Sequence, residues 1–248
     1  MRTSVRVGRE VLRLPPDAAR FLAALEAVIA DAVVRDLPQR RDDGAVARLM
    51  ATIAETQRAE TAKAFEATQT GRVEQASIAC AAGCAFCCRN SVEITVPEAL
   101  ALATAVRQGA DSAPLIQRFQ ATAPMIAGLK PLQRQAKAIP CPILVDEGCS
   151  RYSARPLACR STYATSAQAC ERDLASVSSG GPGKPIKMPA TPQVIRTGVV
   201  DGITSGLARR GLQADTVELI EATTVVLTDP SAVDRWFAGE QVFQPFVR

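Results

Sequence analysis

Apolar residues recur at intervals of three and four along the first third of the chain, the spacing that places them on one face of a helix. Pro15 and Pro16 precede the first of these stripes, and Pro38 follows it. Because proline suits the first turn of a helix but cannot continue one, the pattern predicts a helix over 17–36. The residues expected to face the core are Phe21, Leu22, Leu25, Val28, Ile29, Ala32 and Val33.

A second apolar stripe runs from Val46 to about residue 69 and predicts another helix facing the core, which Thr70 and Gly71 should end. Polar Gln57 and Thr61 weaken the middle of this stripe. Similar spacing predicts three further helices, over 112–129, 191–210 and 213–228.

Shorter signals mark the middle of the chain. The segment SVEITVPEALALATAVRQG reads as a short strand running into a helix that starts at Pro97, with Glu98 in the first turn, where a carboxylate suits the helix dipole. The segment IPCPILVDEGCSRY has a turn at 146–148 and predicts a small hairpin with a cysteine at each end. Residues 178–189 are rich in Gly and Pro and predict a flexible loop.

Together these elements predict a mostly α fold, a single helical domain over 1–248 around an irregular cysteine-rich centre with a short hairpin. Its N-terminal helices should cover 17–70, the cysteine-rich core 76–172 and the C-terminal helices 191–248. No GxGxxG motif opens a βαβ unit, and the Gly-rich loop lacks the end of a P-loop, so nucleotide-binding folds of these types have no support.

Composition narrows the location and the partners. Of the 248 residues 47% are hydrophobic and 22% charged, as in an ordinary globular chain. The net charge of +4 is spread out, with no dense basic run beside aromatic residues, so we expect no nucleic-acid partner. No stretch approaches the ~18 apolar residues of a membrane span or forms a signal peptide. We therefore expect a cytoplasmic protein that does not bind membranes.

Cysteines are the residues that carry chemistry here. All 8 lie between Cys80 and Cys170, four of them within CAAGCAFCC. A reducing compartment disfavours disulfides, and isolated buried thiols would not be clustered in this way. The chain has 0 histidines, which excludes Ser-His-Asp and Cys-His catalysis as well as mixed cysteine-histidine metal sites.

A metal centre explains such a cluster, because soft thiolates hold zinc or iron in tetrahedral coordination. Eight thiols are enough for two sites of four. A Cys-x3-Cys-x2-Cys loop can supply three ligands of a 4Fe-4S cluster, which we prefer to zinc, and the fourth ligand must come from elsewhere. The predicted metal ligands are Cys80, Cys84, Cys87, Cys88, Cys141, Cys149, Cys159 and Cys170.

Two segments carry a family resemblance: CAAGCAFCCRNSVEITVPEALALA, and CPILVDEGCSRYSARPLACRSTYATSAQAC with its Arg-Pro-x-x-Cys-Arg motif. They resemble the YkgJ-type cysteine-cluster family of zinc- or iron-chelating proteins, which includes flagellin lysine N-methylases. The resemblance implies a metal ion or cluster as partner, and for the methylases S-adenosylmethionine and a protein substrate. It matches residues 76–172, including Tyr152, Arg155 and Arg160.

These three residues are the candidates for supporting the centre, since guanidinium groups favour anionic thiolates and a tyrosine can donate to sulfur. Solvated arginines and a packing tyrosine are the alternative interpretation. The predicted function is metal binding through an all-cysteine site, either in a cluster-dependent lysine methyltransferase or in a non-catalytic structural, sensing or delivery module. No residue is singled out as catalytic, and the oligomeric state is open.

Radical S-adenosylmethionine chemistry is a further alternative, because Cys80, Cys84 and Cys87 have the spacing of its cluster loop. That fold needs a succession of βα units after the motif. Here a cysteine-bearing turn and helices are predicted instead, so the sequence disfavours this activity.

Overall fold

The computed structural model describes residues 2–7, 10–81 and 83–246. The fold is mostly α, as the sequence predicts. The helices are α1 Pro16–Asp36, α2 Asp43–Ala67, α3 Gln69–Ala76, α4 Val96–Gln108, α5 Ser112–Ile126, α6 Pro131–Ala136, α7 Leu157–Ser161, α8 Ala167–Ser178, α9 Ala190–Arg209, α10 Leu219–Thr228 and α11 Ala232–Phe237. The strands are β1 Ser4–Val7, β2 Glu10–Arg13, β3 Glu93–Ile94, β4 Leu144–Val145, β5 Gly148–Cys149 and β6 Val217–Glu218.

The longest helix contact joins α1 to α9 and depends on glycine. A Cβ added at Gly202 would lie 2.6 Å from Cβ of Ile29, and one added at Gly206 would lie 2.6 Å from Cβ of Val33. The absence of side chains at these positions lets the two helix backbones approach closely. The predicted helix over 17–36 is confirmed, and Leu25, Ile29 and Val33 are buried in the core.

Helix α4 lies at the centre of the scaffold and packs against α2, α5 and α10. Its side chains at Val96, Ala99, Leu102 and Val106 are fully buried. The cysteine-rich core predicted over 76–172 therefore includes part of the main apolar core, although its sequence shows little regular periodicity. A helix that is buried on all sides has apolar residues on every face, so its sequence shows no repeating change between apolar and polar positions.

The predicted strand and the predicted helix at Pro97 are confirmed. The Glu98 carboxylate lies in the first turn of this helix, as expected, and also accepts hydrogen bonds there. It accepts hydrogen bonds from N–H of Thr95 at 2.7 Å and from Oγ1 of Thr95 at 2.9 Å. It also accepts from N–H of Leu157 at 2.7 Å. This buried side chain thus joins the first turn of α4 to the first turn of α7.

The six strands of the described residues form three antiparallel pairs, which are β1 with β2, β3 with β6, and β4 with β5. The predicted hairpin is β4–β5, in which Leu144 pairs with Cys149. Its two turn residues, Asp146 at φ 50° and Glu147 at φ 56°, are both left-handed. Such a turn matches the twist of the flanking strands.

Several predicted boundaries are wrong. The helix predicted to 129 ends at Ile126, because Gly128 takes a left-handed φ of 71°. The helix predicted from 213 begins at Leu219, where the Glu218 carboxylate accepts from the N–H groups of Ile220 and Glu221. Residues 213–216 instead pack against the C-terminal segment, since Gln213 Oε1 accepts from N–H of Val242 and Phe243.

Two further expectations differ in the N-terminal half. Phe21 and Val28, expected to face the core, are exposed, so the buried stripe of α1 is narrower than predicted. Gly71 does not end the helical region but lies in the first turn of α3, where its N–H donates to Oγ1 of Thr68 at 2.9 Å.

The Gly- and Pro-rich segment 181–189 has no helix or strand, and hydrogen bonds hold it at both ends. N–H of Lys184 donates to the Asp173 carboxylate at 2.5 Å, and O of Lys187 accepts from N–H of Thr165 at 3.1 Å. Its predicted flexibility stays a prediction. None of the helices among the described residues has the length and apolar character needed to cross a bilayer.

Candidate metal centre

The CAAGCAFCC segment lies in a loop between α3 and β3 and is held by backbone hydrogen bonds. N–H of Ala79 donates to O of Ala164 at 2.9 Å, which fixes the start of the loop to the segment after α7. A 3-10 turn at Phe86–Arg89 carries Cys87 and Cys88, and buried Ala85 anchors it. The loop therefore presents its thiols toward the segment that carries the later cysteines.

The first cysteine group consists of Cys80, Cys84, Cys87 and Cys170. Sγ of Cys80 accepts a hydrogen bond from N–H of Ala164 at 3.2 Å. Burial, followed by the thiols of Cys80, Cys84 and Cys87, raises the pKa of Cys170 to about 11. Burial and the same neighbours also raise the pKa of Cys84. Helix α8 thus brings Cys170 to the loop, 82 positions after the last of CAAGCAFCC.

The second cysteine group consists of Cys88, Cys141, Cys149 and Cys159. N–H of Cys141 donates to O of Cys88 at 2.8 Å, which joins the first loop to the hairpin segment. Burial raises the pKa of Cys141 to about 11, with Cys149 adding to the effect. Burial also raises the pKa of Cys159, and Cys141, Cys87 and Cys149 follow as causes. Three separate segments meet here.

The two groups adjoin at Cys87. The thiol of Cys88 hydrogen-bonds to that of Cys87, and this contact, ahead of burial, raises the pKa of Cys87. The thiol of Cys87 also raises the pKa of Cys159, which belongs to the second group. All eight cysteines are free thiols. Through the contacts at Cys87 the two groups form one continuous cluster of thiols.

Comparison with known proteins supports the same region. Residues 79–176 match a family model described as "CxxCxxCC: Putative zinc- or iron-chelating domain". Over these residues the chain is similar to the CxxCxxCC domain, and the matched segment is called the CxxCxxCC domain below. Its first loop has one residue more than that pattern between Cys80 and Cys84. No curated protein matches the chain significantly, and neither does any solved structure.

The thiol groups of the CxxCxxCC domain lie near one another, but they do not surround a single position for a metal ion. Among residues 2–7, 10–81 and 83–246, no three Cys, Asp or Glu side chains are placed so that they could hold a metal ion. Metal binding would therefore require thiols to rotate about their side-chain bonds. The assignment of all eight cysteines as ligands stays a prediction.

Arg155 is the predicted supporting residue whose charge affects the most thiols. Its charge opposes the raised pKa of Cys87, Cys149 and Cys159. Nε of Arg155 is buried and has no hydrogen-bond partner among the described residues. A buried donor without a partner is costly, so this nitrogen is suited to an acceptor such as a ligated sulfur.

The other two predicted residues act on Arg155 more than on the cysteines. Tyr152 is 59% exposed, and the guanidinium carbon of Arg155 lies 3.6 Å from the centre of its ring. Nε of Arg160 donates to O of Arg155 at 2.6 Å. Burial and the charge of Arg155 lower the pKa of Arg160. Tyr152 and Arg160 thus hold Arg155 in place beside the domain's thiols.

Sequence reasoning missed two side chains that position the cysteines. Glu98 was assigned only to the start of α4, but it also holds the start of α7, which carries Cys159. Arg134, only 1% exposed, donates to the Glu218 carboxylate at 2.5 Å and lies near Cys141. Neither long-range contact has a local sequence signal, although Glu98 belongs to a recognisable capping box.

Proposed function

We propose that the CxxCxxCC domain binds zinc or iron through thiolates of both cysteine groups, as two sites of four thiolates. The observation that carries this proposal is the mutual influence of the thiols across four chain segments. Cys170 is affected by three cysteines of the first loop, and Cys159 by cysteines of that loop and of the hairpin. A shared metal partner accounts for thiols gathered from four chain segments.

Electrostatics supports a cation as that partner. Neighbouring thiols in partly buried surroundings raise one another's pKa, so they resist ionising together. A divalent cation among them reverses this effect and favours the thiolate form of each. The donor set contains sulfur and no imidazole, which fits zinc, iron or an iron-sulfur cluster.

A 4Fe-4S cluster is our preferred occupant of the first cysteine group. Its loop can supply three thiolates and Cys170 the fourth, which is the number a cubane requires. Zinc is the alternative, and it suits a closed structural site such as the second group, where Cys141 and Cys159 come from separate segments.

Catalysis is the second candidate function, as a cluster-dependent lysine methyltransferase using S-adenosylmethionine. One observation favours it: Cys87, at the junction of the two groups, is an exposed residue. A catalytic centre keeps an open side, whereas a structural one is closed. A non-catalytic binding or delivery module uses the same ligands without a substrate.

The test is anaerobic purification followed by measurement of iron, sulfide and zinc per chain, with an absorption spectrum. We expect about two metal centres in the wild type. Cys84→Ser should remove the occupant of the first group only, and Cys159→Ser that of the second. Ser77→Ala, beside the first loop, is the matched control and should keep both.

Protein from metal-replete cells that contains no metal, and binds none when zinc or iron is added, would overturn the proposal. Methyl transfer from S-adenosylmethionine to lysine-containing proteins, measured on the same samples, separates the two functions. Transfer that depends on Cys84 supports the enzyme. Metal binding without transfer supports the module.

A further inference from the structure

A cleft of about 500 Å³ opens beside the junction of the two cysteine groups. Its walls come from β1, the 3-10 turn, β3, α6, α7, α9 and the C-terminal segment. This volume is within the range of small-molecule sites, about 300–1,000 Å³. The lining residues that matter chemically are Arg6, Cys87, Asn90, Cys159, Arg196 and Phe246.

The charged groups of the cleft are two arginines and one glutamate. Arg6 and Arg196 line it from β1 and α9. Arg6 has no ion-pair or hydrogen-bond partner among the described residues, which leaves its charge available. Glu93 is the acidic residue of the lining, and its carboxylate accepts from Oγ1 of Thr216 at 2.6 Å. The lining as a whole therefore carries a small positive charge.

An unsatisfied amide lies in the same wall. Oδ1 of Asn90 is buried without a hydrogen-bond partner in the part of the chain that the structure describes. Asparagine oxygen and nitrogen can be exchanged by a rotation of the side-chain amide. The Asn90 side chain can therefore face a ligand with either a donor or an acceptor, beside the two arginines.

Most of the remaining surface of the cleft is apolar, although Ser91, Thr162 and Gln193 also line it. Val92, Pro131, Leu132 and Phe246 contribute apolar surface to the cleft. A mostly apolar lining with a few converging polar groups is typical of a site for an organic molecule rather than for an inorganic ion. The carboxylate of Glu93 and the absence of a Gly-rich loop in the lining disfavour a doubly charged phosphate.

We infer that this cleft binds a small organic carboxylate, with the carboxylate group between Arg6 and Arg196 and the apolar part against Leu132 and Phe246. Two guanidinium groups suit a carboxylate because each can donate paired hydrogen bonds to its oxygens. Such a ligand would lie against the wall that contains Cys87 and Cys159. This inference concerns the cleft and does not depend on which metal the domain holds.

The experiment is a calorimetric titration of the full chain, purified with whatever metal it carries, using benzoate as probe. Benzamide has the same shape without the charge, and inorganic phosphate has charge without the apolar ring. We expect benzoate to bind with a Kd of about 1 mM. Benzamide and phosphate should bind at least about tenfold more weakly, because each lacks one half of the interaction.

Variants locate the binding. Arg196→Met should weaken benzoate binding about tenfold or more, and Arg6→Gln, on an exposed strand position, should weaken it in the same direction without risk to folding. Arg209→Met is the matched control on α9, where Arg209 pairs with Asp31 at the surface, and should bind as the wild type does. Metal content is measured for each variant, so that loss of the centre is told apart from loss of the cleft.

Three results would overturn the inference: no benzoate binding in folded protein, equal affinity for benzoate and benzamide, or wild-type affinity in both Arg6→Gln and Arg196→Met. The first would make the cleft a solvent-filled gap. The second would leave only an apolar pocket. The third would place the binding elsewhere on the chain.

Discussion

The helical scaffold and the cysteine-bearing loops are stabilised in different ways. The scaffold of α1, α2, α4 and α9 buries side chains such as Ile53, Leu102 and Ile203 completely or nearly so. The loops around the thiols contain few fully buried apolar residues and are joined by single hydrogen bonds, such as those from Cys141 to Cys88 and from Ala164 to Cys80. We therefore expect the scaffold to fold without metal, and the loops to need an additional constraint.

This difference predicts that the largest loss of stability comes from the scaffold. In Gly202→Val the new Cβ would lie 2.6 Å from Cβ of Ile29 and 2.7 Å from O of Glu26, so α9 must move away from α1. We expect the free energy of unfolding to fall by about 3 kcal/mol, measured in urea. The control Gly44→Ala, near the start of α2, meets only side-chain atoms and should be neutral or stabilising.

Metal removal should have a smaller, local effect. Chelation, or Cys84→Ala, is expected to lower Tm by about 5 °C and to increase proteolysis within residues 77–91 and 138–166. Far-ultraviolet circular dichroism should change little, because the long helices lie in the scaffold. The contrast between scaffold and loops is contradicted if complete metal removal leaves both Tm and the cleavage sites unchanged. It is also contradicted if metal removal unfolds α1 and α9.

The sequence specifies the scaffold better than the site, for physical reasons. Helix α1 has prolines at its boundaries and a capping box marks α4, so local chemistry determines both. Helices α6 and α7 are too short to show an apolar period, and α8 is missed although Ser166 caps its first turn. The meeting of Cys170 with the first loop depends on long-range contacts that no local pattern records, although composition alone singles out all eight cysteines as the chemical residues.

Glu98 connects the two regions, and its replacement should have an intermediate effect. Burial raises its pKa above the usual value of 4.5, so folding favours the protonated form. The stability that this group contributes is complete below pH 4.5 and declines as the pH rises through the folded-state pKa. Glu98→Gln should cost about 1 kcal/mol near pH 4.5 and less at pH 7, because Gln donates where a carboxylate accepts.

Urea unfolding at several pH values measures this effect, with exposed Glu66→Gln on α2 as the control that should show no such trend. A cost for Glu98→Gln that grows between pH 4.5 and pH 7 would show that the carboxylate is ionised and stabilising, against the assigned direction.

The smallest effect is expected in the hairpin turn. Glu147 has a left-handed φ of 56°, which strains a residue with a long side chain. Glu147→Gly should stabilise the protein by about 0.5 kcal/mol, because relief of the left-handed φ outweighs the added freedom of the unfolded chain. Asp146→Gly should gain less, since Asp tolerates φ 50° better. Equal or opposite ranking in urea unfolding would refute the strain argument.

X-ray absorption at the edge of the bound metal tests the central claim most directly. Two all-cysteine sites predict a first shell of sulfur at about 2.3 Å, with four sulfurs for each zinc, or with added iron-iron scattering for a cluster. Cys159→Ser should change this shell, and Ser77→Ala should not. A first shell made up mainly of oxygen or nitrogen would contradict the account, because it would show that the gathered thiols are not what holds the metal.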